Sequence, residues 1–175
     1  MHERDRVANL LGASALALTD LALGGATRAA GVGGSGAAAL VSLVASGGLS
    51  VSELGRRIGL SQPAASRLVD GLERDGLVER RPSPFGGRWM VVHATEDGHG
   101  VAGRVLAARG DPLAEVVDGF DDAELRVLGE LLEKLLVRVY ERDGRAQYIC
   151  RMCDRDACTA QSAECPVGAA ERGTG

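Results

Sequence analysis

The sequence predicts a mainly α-helical protein that contains one small β-hairpin. Only 3% of its residues are aromatic, so its core must be built from Leu, Val and Ala, which suit packed helices better than a β-sandwich. Long stretches on both sides of the centre carry apolar residues at helical spacing. Residues 77–94 alone contain two β-type runs separated by a loop of Pro and Gly. At 175 residues, the chain can form one well-packed domain, or a small domain with flanking helices that need a partner.

Residues 1–36 are predicted to form a dimerisation helix and a glycine-rich loop. From Asp5 to about Ala30 the leucines cover more than one face, which indicates packing both on the same chain and on another. The run Gly31–Gly36 is interpreted as a loop and not as a phosphate cradle, because no strand precedes it and no Gly-Lys-Ser/Thr follows. No signal segment opens the chain, and no apolar run approaches the roughly 20 residues of a membrane span. We therefore expect a cytoplasmic protein with no membrane partner.

Residues 37–95 are predicted to hold a pair of short helices joined by a tight turn. A helix over Ala37–Ser46 precedes the pair. The first helix of the pair begins behind Ser50 or Ser52, either of which can cap it, and Gly59 ends it. The second helix covers Gln62–Arg74. Two short helices with a turn that contains Gly form a helix-turn-helix unit, whose second helix presents its N-terminal residues to the major groove of DNA.

The second helix of this pair has one apolar and one polar face. Ser61 is placed to cap it, and Pro63 falls in its first turn, where a missing N–H is harmless. On the polar face, Gln62 can pair with adenine and Arg67 with guanine, each good pair contributing about 1–3 kcal/mol of discrimination. A solvated surface helix would carry similar residues. The candidate DNA-binding residues on this helix are Ser61, Gln62, Pro63, Ser66, Arg67 and Arg74.

A basic hairpin is predicted directly after this helix. Strands at Leu77–Arg81 and Trp89–Ala94 flank the loop Pro-Ser-Pro-Phe-Gly-Gly. Residues 51–92 hold seven Arg against five acidic residues, a net charge of +2 in a chain whose net charge is −4. This basic excess indicates a nucleic-acid contact. Lys134 is the only lysine of the chain, which a coding bias toward arginine explains at least as well as a functional reason. The hairpin is interpreted as a wing whose Arg80, Arg81 and Arg88 reach phosphates or the minor groove.

The sequence around this wing resembles a known family. The segment GLERDGLVER, the hairpin, and a Thr-Glu-x-Gly turn at Thr95, Glu96 and Gly98 are similar to MarR-type winged helix regulators over about residues 37–100. The resemblance implies a homodimer that binds a palindromic operator in double-stranded DNA, represses nearby genes and often responds to a small-molecule effector or an oxidative signal. Arg88 falls where the wing-tip arginine of the family sits, but Gly87 replaces the Asp that commonly precedes it.

Residues 96–145 are predicted to form C-terminal dimerisation helices. Thr95 can cap the first of them, and Asp111-Pro112 is interpreted as a break and restart. Asp121 and Glu124 form a capping box for the next helix. Internal core and dimer interface fit its apolar stripe equally well, but recognition of two half-sites one helical turn apart favours the dimer. The stripe consists of Leu125, Leu128, Leu131, Leu132, Leu135, Leu136 and Val139.

Residues 146–175 are predicted to form a cysteine-rich metal or redox tail. All four cysteines of the chain fall within sixteen residues as C-x2-C-x4-C-x6-C. In a reducing compartment such a cluster indicates metal ligands or redox groups more than structural disulfides. Four thiolates suit zinc or an iron–sulfur cluster, and Pro166 after the last cysteine favours the cluster slightly. The candidate ligands are Cys150, Cys153, Cys158 and Cys165.

Two further interpretations of the tail stay open. Cys150 and Cys153 could form a disulfide as a dithiol switch, or the tail could be unstructured. Because the tail begins just beyond the predicted dimer helix, gain or loss of a metal is expected to shift that helix and hence the spacing of the two reading helices.

The sequence as a whole predicts a dimeric transcriptional regulator, expected to be a repressor, and not an enzyme. It contains no nucleophile with a base, no paired carboxylates on one face and no nucleotide loop. The alternative is a small metal-binding or electron-transfer protein that uses its winged helix for protein contacts. Sequence-specific DNA binding with a steep salt dependence would distinguish the first from the second.

Overall fold

The computed structural model describes residues 2–83 and 89–173, which form nine α-helices, a two-stranded antiparallel sheet and a short 3-10 helix at Ala160–Ser162. This architecture confirms the predicted fold class, a mainly helical winged helix with flanking helices. The elements are α1 (His2–Ala30), α2 (Gly34–Ser46), α3 (Val51–Ile58), α4 (Gln62–Arg74), β1 (Val78–Pro82), β2 (Met90–Ala94), α5 (Glu96–Val117), α6 (Asp122–Asp143), α7 (Ala146–Ile149), α8 (Arg155–Cys158) and α9 (Pro166–Gly173).

The core is built around α2. Leu40 and Leu43 of this helix are fully buried and belong to one apolar cluster with Leu54 of α3, Val69 of α4 and Val105 of α5. Burial of a side chain of this size stabilises the fold by about 1.5–3 kcal/mol relative to exposure. The aliphatic core expected from the composition is therefore what joins the helix pair to the long helices.

The N-terminal ends of α3 and α4 differ in their capping. The hydroxyl of Ser50 accepts a hydrogen bond from the backbone N–H of Glu53 at 3.2 Å, so Ser50 and not Ser52 caps α3. Ser61 occupies the N-cap position of α4, but its side chain makes no capping hydrogen bond. The prediction that Ser61 caps this helix through its side chain was wrong, and its hydroxyl is exposed instead.

The hairpin has the predicted strands to within one residue. Val78 pairs with Ala94 and Pro82 with Met90 at its two ends. Leu49 adds a short third edge, because its N–H and C=O bond to the backbone of Val92 at 3.0 and 2.8 Å. Residues 84–88, with the predicted tip residues Gly87 and Arg88, lie outside the described residues.

The predicted break at Asp111-Pro112 was wrong, since α5 is continuous through Pro112. Pro112 has no N–H to donate to the carbonyl of Ala108, four residues earlier. That carbonyl lies against α1, where a Cβ on Gly25 would stand 2.6 Å from its oxygen. Close packing of α1 along α5 thus supports the helix where its own hydrogen-bond ladder is interrupted.

Helix α1 packs along α5 and leaves many apolar side chains exposed. By length and composition it could cross a membrane, so the expectation that no apolar run approaches that length was wrong. Core helices of soluble proteins and signal sequences meet the same criterion. The exposed apolar residues of α1 are Val7, Leu10, Leu11, Leu16, Leu18, Leu21 and Leu23.

Helix α6 begins with the predicted capping box, in which Asp121 and Glu124 bond each other's backbone N–H groups. Its main packing partner is the short helix α9 near the C-terminal end. Leu131, Leu132 and Val139 of the predicted stripe remain exposed. The stripe therefore does not form an internal core of this chain over most of its length. A dimer interface, the other interpretation of the stripe, stays a prediction.

Candidate nucleic-acid interface and thiol cluster

The turn between α3 and α4 is tight, because Gly55 of α3 and Ala65 of α4 have side chains small enough for the two helices to approach. Gly59 ends α3 in the left-handed conformation with φ of 75°. The N–H of Leu60 donates to the carbonyl of Gly55 at 2.8 Å. A Cβ on Gly55 would stand only 3.0 Å from the Cβ of Ala65 in α4. This contact sets the crossing of the two helices and with it the direction of α4.

Helix α4 presents the predicted polar face to solvent. Ala65, Val69 and Leu72 are buried, which confirms the predicted apolar face. Of the candidate residues on this helix, Ser66 is half-buried, and the others, Ser61, Gln62, Pro63, Arg67 and Arg74, are exposed. The structure thus brings the predicted reading residues together on one accessible surface.

Two features on this face bear on base and phosphate contacts. The hydroxyl of Ser52 donates to Oε1 of Gln62 at 2.7 Å, which fixes the amide at the start of α4. Arg67 and Arg74 form no ion pair within residues 2–83 and 89–173, so their charges are available to an anionic partner. Ser52 was not predicted as part of the surface, because its contact depends on the geometry of the turn.

Arg80, which is predicted to reach phosphates or the minor groove, forms ion pairs within the chain. Its guanidinium forms ion pairs with Asp70 at 2.6 Å and with Glu73, both on α4. Only 26% of its side chain is exposed. Arg81 pairs with Glu79 on the same strand and stays largely exposed. Arg80 therefore braces β1 against the reading helix, and its charge is already compensated there.

The two arginines of α3 are also compensated. Glu53 accepts hydrogen bonds from Arg56 and Arg57, each at 2.7 Å. The hydrogen bond from Arg56, followed by that from Arg57, lowers the pKa of Glu53 to about 2, although burial opposes the shift. Arg57 also donates to the hydroxyl of Ser46 at 2.7 Å. Among the described arginines of residues 51–92, those that form no ion pair, Arg67 and Arg74, both lie on α4.

The four cysteines, which lie in α8 and in the loops after α7 and before α9, line one cavity of about 290 Å³. Cys150 follows α7, and Cys153 closes a turn by donating its N–H to the Cys150 carbonyl at 3.0 Å. Cys158 ends α8. Cys165 precedes α9, and its sulfur accepts the N–H of Gly168 at 3.4 Å. The structure therefore brings together all four predicted ligands.

Burial raises the pKa of three of the thiols that line this cavity, which disfavours their thiolate forms. Burial, followed by the neighbouring Cys165, raises the pKa of Cys150 to about 11. Burial and the neighbouring Cys153 raise the pKa of Cys158 to about 11, and burial also raises that of Cys153. Protonated thiols are poor nucleophiles, which gives the dithiol switch little support. Within the described part of the chain, no three His, Cys, Asp or Glu side chains are already arranged around a metal-sized point.

The tail is folded against the rest of the protein, so the interpretation as an unstructured segment was wrong. The Met152 side chain enters the main core, and the hydroxyl of Ser42 in α2 donates to the Arg151 carbonyl at 3.4 Å. A second apolar cluster joins Tyr140 of α6 to Val167 of α9, with Cys150 and Cys165 packed against it. The tail thus touches the winged helix directly as well as the predicted dimer helix.

The described winged helix coincides with a match to a known family. A family profile described as MarR family matches residues 30–88. Residues 30–88 of this chain are therefore similar to the MarR family. Two curated proteins with this MarR-type segment are the transcriptional repressor MprA of Escherichia coli, 34% identical over 95 residues, and the transcriptional repressor YetL of Bacillus subtilis, 30% identical over 93 residues. The alignment with MprA covers 53% of this chain and 54% of MprA, and that with YetL covers 51% of this chain and 56% of YetL. The chain thus spans about half the length of the curated relatives it matches.

Solved MarR structures extend the similarity to the flanking helices. A MarR family protein from Bacillus stearothermophilus is 28% identical with a TM-score of 0.68, over 77% of this chain and 95% of its own. A MarR family transcriptional regulator from Streptomyces coelicolor was solved in complex with DNA. It is 24% identical with a TM-score of 0.62, and the match covers 79% of this chain and 92% of the regulator. The two curated relatives are transcriptional repressors, which agrees with the prediction of a regulator and not an enzyme.

Proposed function

We propose that this chain is a cytoplasmic transcriptional regulator that binds a palindromic operator in double-stranded DNA as a homodimer and acts as a repressor. The observation that carries the proposal is the exposed polar face of α4, where Gln62 is fixed by Ser52 and Arg67 has an uncompensated charge. An N-terminal helix face of this kind suits base recognition in the major groove. The repressor function named for two relatives supports the direction of regulation.

Selection of bound duplexes from a random-sequence library tests DNA recognition. We expect selected sequences with two inverted half-sites one helical turn apart. Gln62→Ala and Arg67→Ala should each lower the affinity for the selected duplex by about 1–3 kcal/mol and relax the preference at one position of each half-site. Binding with no sequence preference, lost at moderate salt, would instead support the small metal-binding or electron-transfer protein.

The exposed apolar rows of α1 and α6 support the homodimer. In one chain neither row is covered, and a second copy would bury both. Leu132→Arg should therefore shift the sedimentation coefficient from dimer to monomer and abolish high-affinity operator binding. Glu133→Arg adds the same side chain next to the row and should leave the dimer intact. A dimer that survives Leu132→Arg would exclude the α6 row as the interface.

We further propose that the four cysteines hold an iron–sulfur cluster or zinc, through which the protein senses metal or redox status. Four sulfur donors around one cavity are the ligand set of both groups, and the sequence preference for the cluster rests on Pro166. A bound cation supplies the charge that stabilises the thiolates. Burial raises the pKa of Cys150 and Cys153, and the positive charges of Arg155 and Arg109, respectively, partly oppose that shift.

The visible absorption and metal content of protein purified without air test this site. Cluster-loaded protein would be brown and contain iron and sulfide, whereas zinc-loaded protein would be colourless. The variant Cys150→Ser/Cys153→Ser should lose the metal. Full metal content in that variant, or metal-free protein that takes up neither zinc nor a cluster, would contradict the assignment.

A further inference from the structure

The tail contacts the helix-turn-helix at the turn between α3 and α4, where α7 packs against α3. Gly59 has no side chain at this turn, and the ring of Tyr148 in α7 fills the space beside it. A Cβ on Gly59 would stand 2.6 Å from Cε2 of Tyr148 and 3.2 Å from Cδ2. The ring is therefore in van der Waals contact with the backbone that sets the direction of α4.

Tyr148 is held in place by charged neighbours on its own segment. The guanidinium carbons of Arg145 and Arg151 lie 4.3 and 4.1 Å from the centre of its ring, within cation–π range. Arg145 is tied to Asp143 at 2.8 Å, and Arg151 donates to the Tyr148 carbonyl at 2.7 Å. The orientation of the ring thus depends on the backbone of residues 145–151.

That backbone is continuous with the thiol cluster. Cys150 is two residues from Tyr148. The N–H of Cys150 donates to the Ala146 carbonyl at 3.1 Å, and this hydrogen bond closes the turn that contains Tyr148. The turn from Cys150 to Cys153 also carries Met152 into the main core. Drawing the thiolates of Cys150 and Cys153 onto one metal would fix this turn, because both ends of it would become ligands.

We propose that Tyr148 is a positioning residue through which occupancy of the four-cysteine site fixes the turn at Gly59 and hence the orientation of α4. The inference rests on the proposed metal site and adds the route by which that site acts on DNA binding. The metal-bound tail presses an ordered ring against the turn, and the metal-free tail holds it less firmly. This route runs within one chain and does not require movement of α6.

Amide hydrogen exchange of full-length protein, metal-free and after addition of Zn²⁺ alone, tests the coupling without DNA. The reporters are the N–H groups of Leu60 and Ala65, bonded to Gly55 and Ser61 at 2.8 and 2.9 Å. Zn²⁺ should slow their exchange by about 5- to 150-fold, the usual range of coupling between sites. Tyr148→Ala should bind Zn²⁺ with unchanged stoichiometry and lose this effect, whereas Tyr148→Phe, which keeps the ring, should retain it. If Tyr148→Ala does not fold, Tyr148→Leu replaces it as the test variant. It should lose most of the Zn²⁺-dependent slowing of exchange at Leu60 and Ala65.

The outcomes separate this inference from the proposed metal site. Protein that binds neither Zn²⁺ nor, in the same exchange experiment, a reconstituted iron–sulfur cluster overturns both. Protein that binds Zn²⁺ with equal protection of the turn in wild type and Tyr148→Ala overturns the coupling and leaves the site standing. The same variants, assayed on the selected duplex, should show that Zn²⁺ changes the affinity of the wild type and of Tyr148→Phe, but not of Tyr148→Ala.

Discussion

Gly98 and Leu77 are in backbone contact, because a Cβ on Gly98 would stand 2.0 Å from the carbonyl oxygen of Leu77. The same carbonyl accepts the N–H of Thr95 at 3.1 Å, and the Thr95 hydroxyl donates to the Gly76 carbonyl at 2.7 Å. The Thr95 hydroxyl also accepts the N–H of Gly98 at 3.1 Å. The Thr-Glu-x-Gly segment is therefore a joint that fastens the start of α5 to the base of the wing.

This joint predicts opposite effects for two glycine substitutions in α5. Gly98→Ala should lower the free energy of unfolding by about 1–3 kcal/mol, because the new methyl group must displace backbone. Gly103→Ala is the control, since nothing lies within 4 Å of a Cβ there, and it should raise the free energy by about 0.5–1 kcal/mol. Urea unfolding midpoints measure both, and equal destabilisation by the two would contradict the steric explanation.

The two N-cap serines should separate stability from recognition. Ser50→Ala removes the hydrogen bond to the N–H of Glu53 and should lower the free energy of unfolding by about 1 kcal/mol. Ser61→Ala removes no capping bond, so its stability loss should be smaller, while its affinity for the selected duplex should fall. Thermal unfolding and DNA titration of the pair check this division. A larger stability loss for Ser61→Ala would refute it.

Glu53 predicts a pH-dependent contribution to stability. Its pKa in the folded protein, about 2, lies below its ordinary value of 4.5, so its ion pairs stabilise the fold above pH 4.5. This contribution is lost as the pH falls from 4.5 toward 2. Glu53→Gln should cost about 1 kcal/mol at neutral pH, a modest value because the group is partly exposed. The difference in unfolding free energy between wild type and variant should vanish near the lower pH, and a constant difference would contradict the ion-pair origin.

The arginines of α4 and the wing should differ in the salt dependence of DNA binding. Arg74→Ala removes an uncompensated charge and should reduce the slope of log affinity against log salt by about one. Arg80→Ala removes a charge already paired with Asp70 and Glu73 and should change the slope less. It should instead weaken packing of the hairpin, seen as faster amide exchange of β1. Equal changes of slope would show that Arg80 contacts phosphate.

Local signals in the sequence were sufficient for the helix pair and its exposed face. The apolar spacing of Ala65, Val69 and Leu72 and the position of Gly59 correctly predicted α4 and the turn before it. The clustering of the cysteines likewise predicted that they lie near one another, and all four line one cavity. These features depend on residues close together in the chain, where periodicity and turn chemistry decide the conformation.

Errors arose where distant residues override local preference. Pro112 signals a helix break, but the packing of Gly25 against the Ala108 carbonyl supports a continuous helix. Arg80 stays a predicted phosphate contact, but its ion pairs with carboxylates seven and ten residues away were not indicated by the sequence. The contact of Tyr148 with Gly59 spans much of the chain and leaves no signal in the spacing of residues.

Insertion of Met152 into the main core has a consequence for how the tail can be studied. Deleting the chain after α6 would open a gap beside the aliphatic residues of α2 and would also remove the acceptor of the Ser42 hydroxyl. Such a truncated protein would unfold at a lower temperature whether or not the cysteines bind anything. The tail and the winged helix should therefore unfold in a single cooperative transition. Point substitutions of the cysteines, and not deletion of the tail, separate metal or redox sensing from folding.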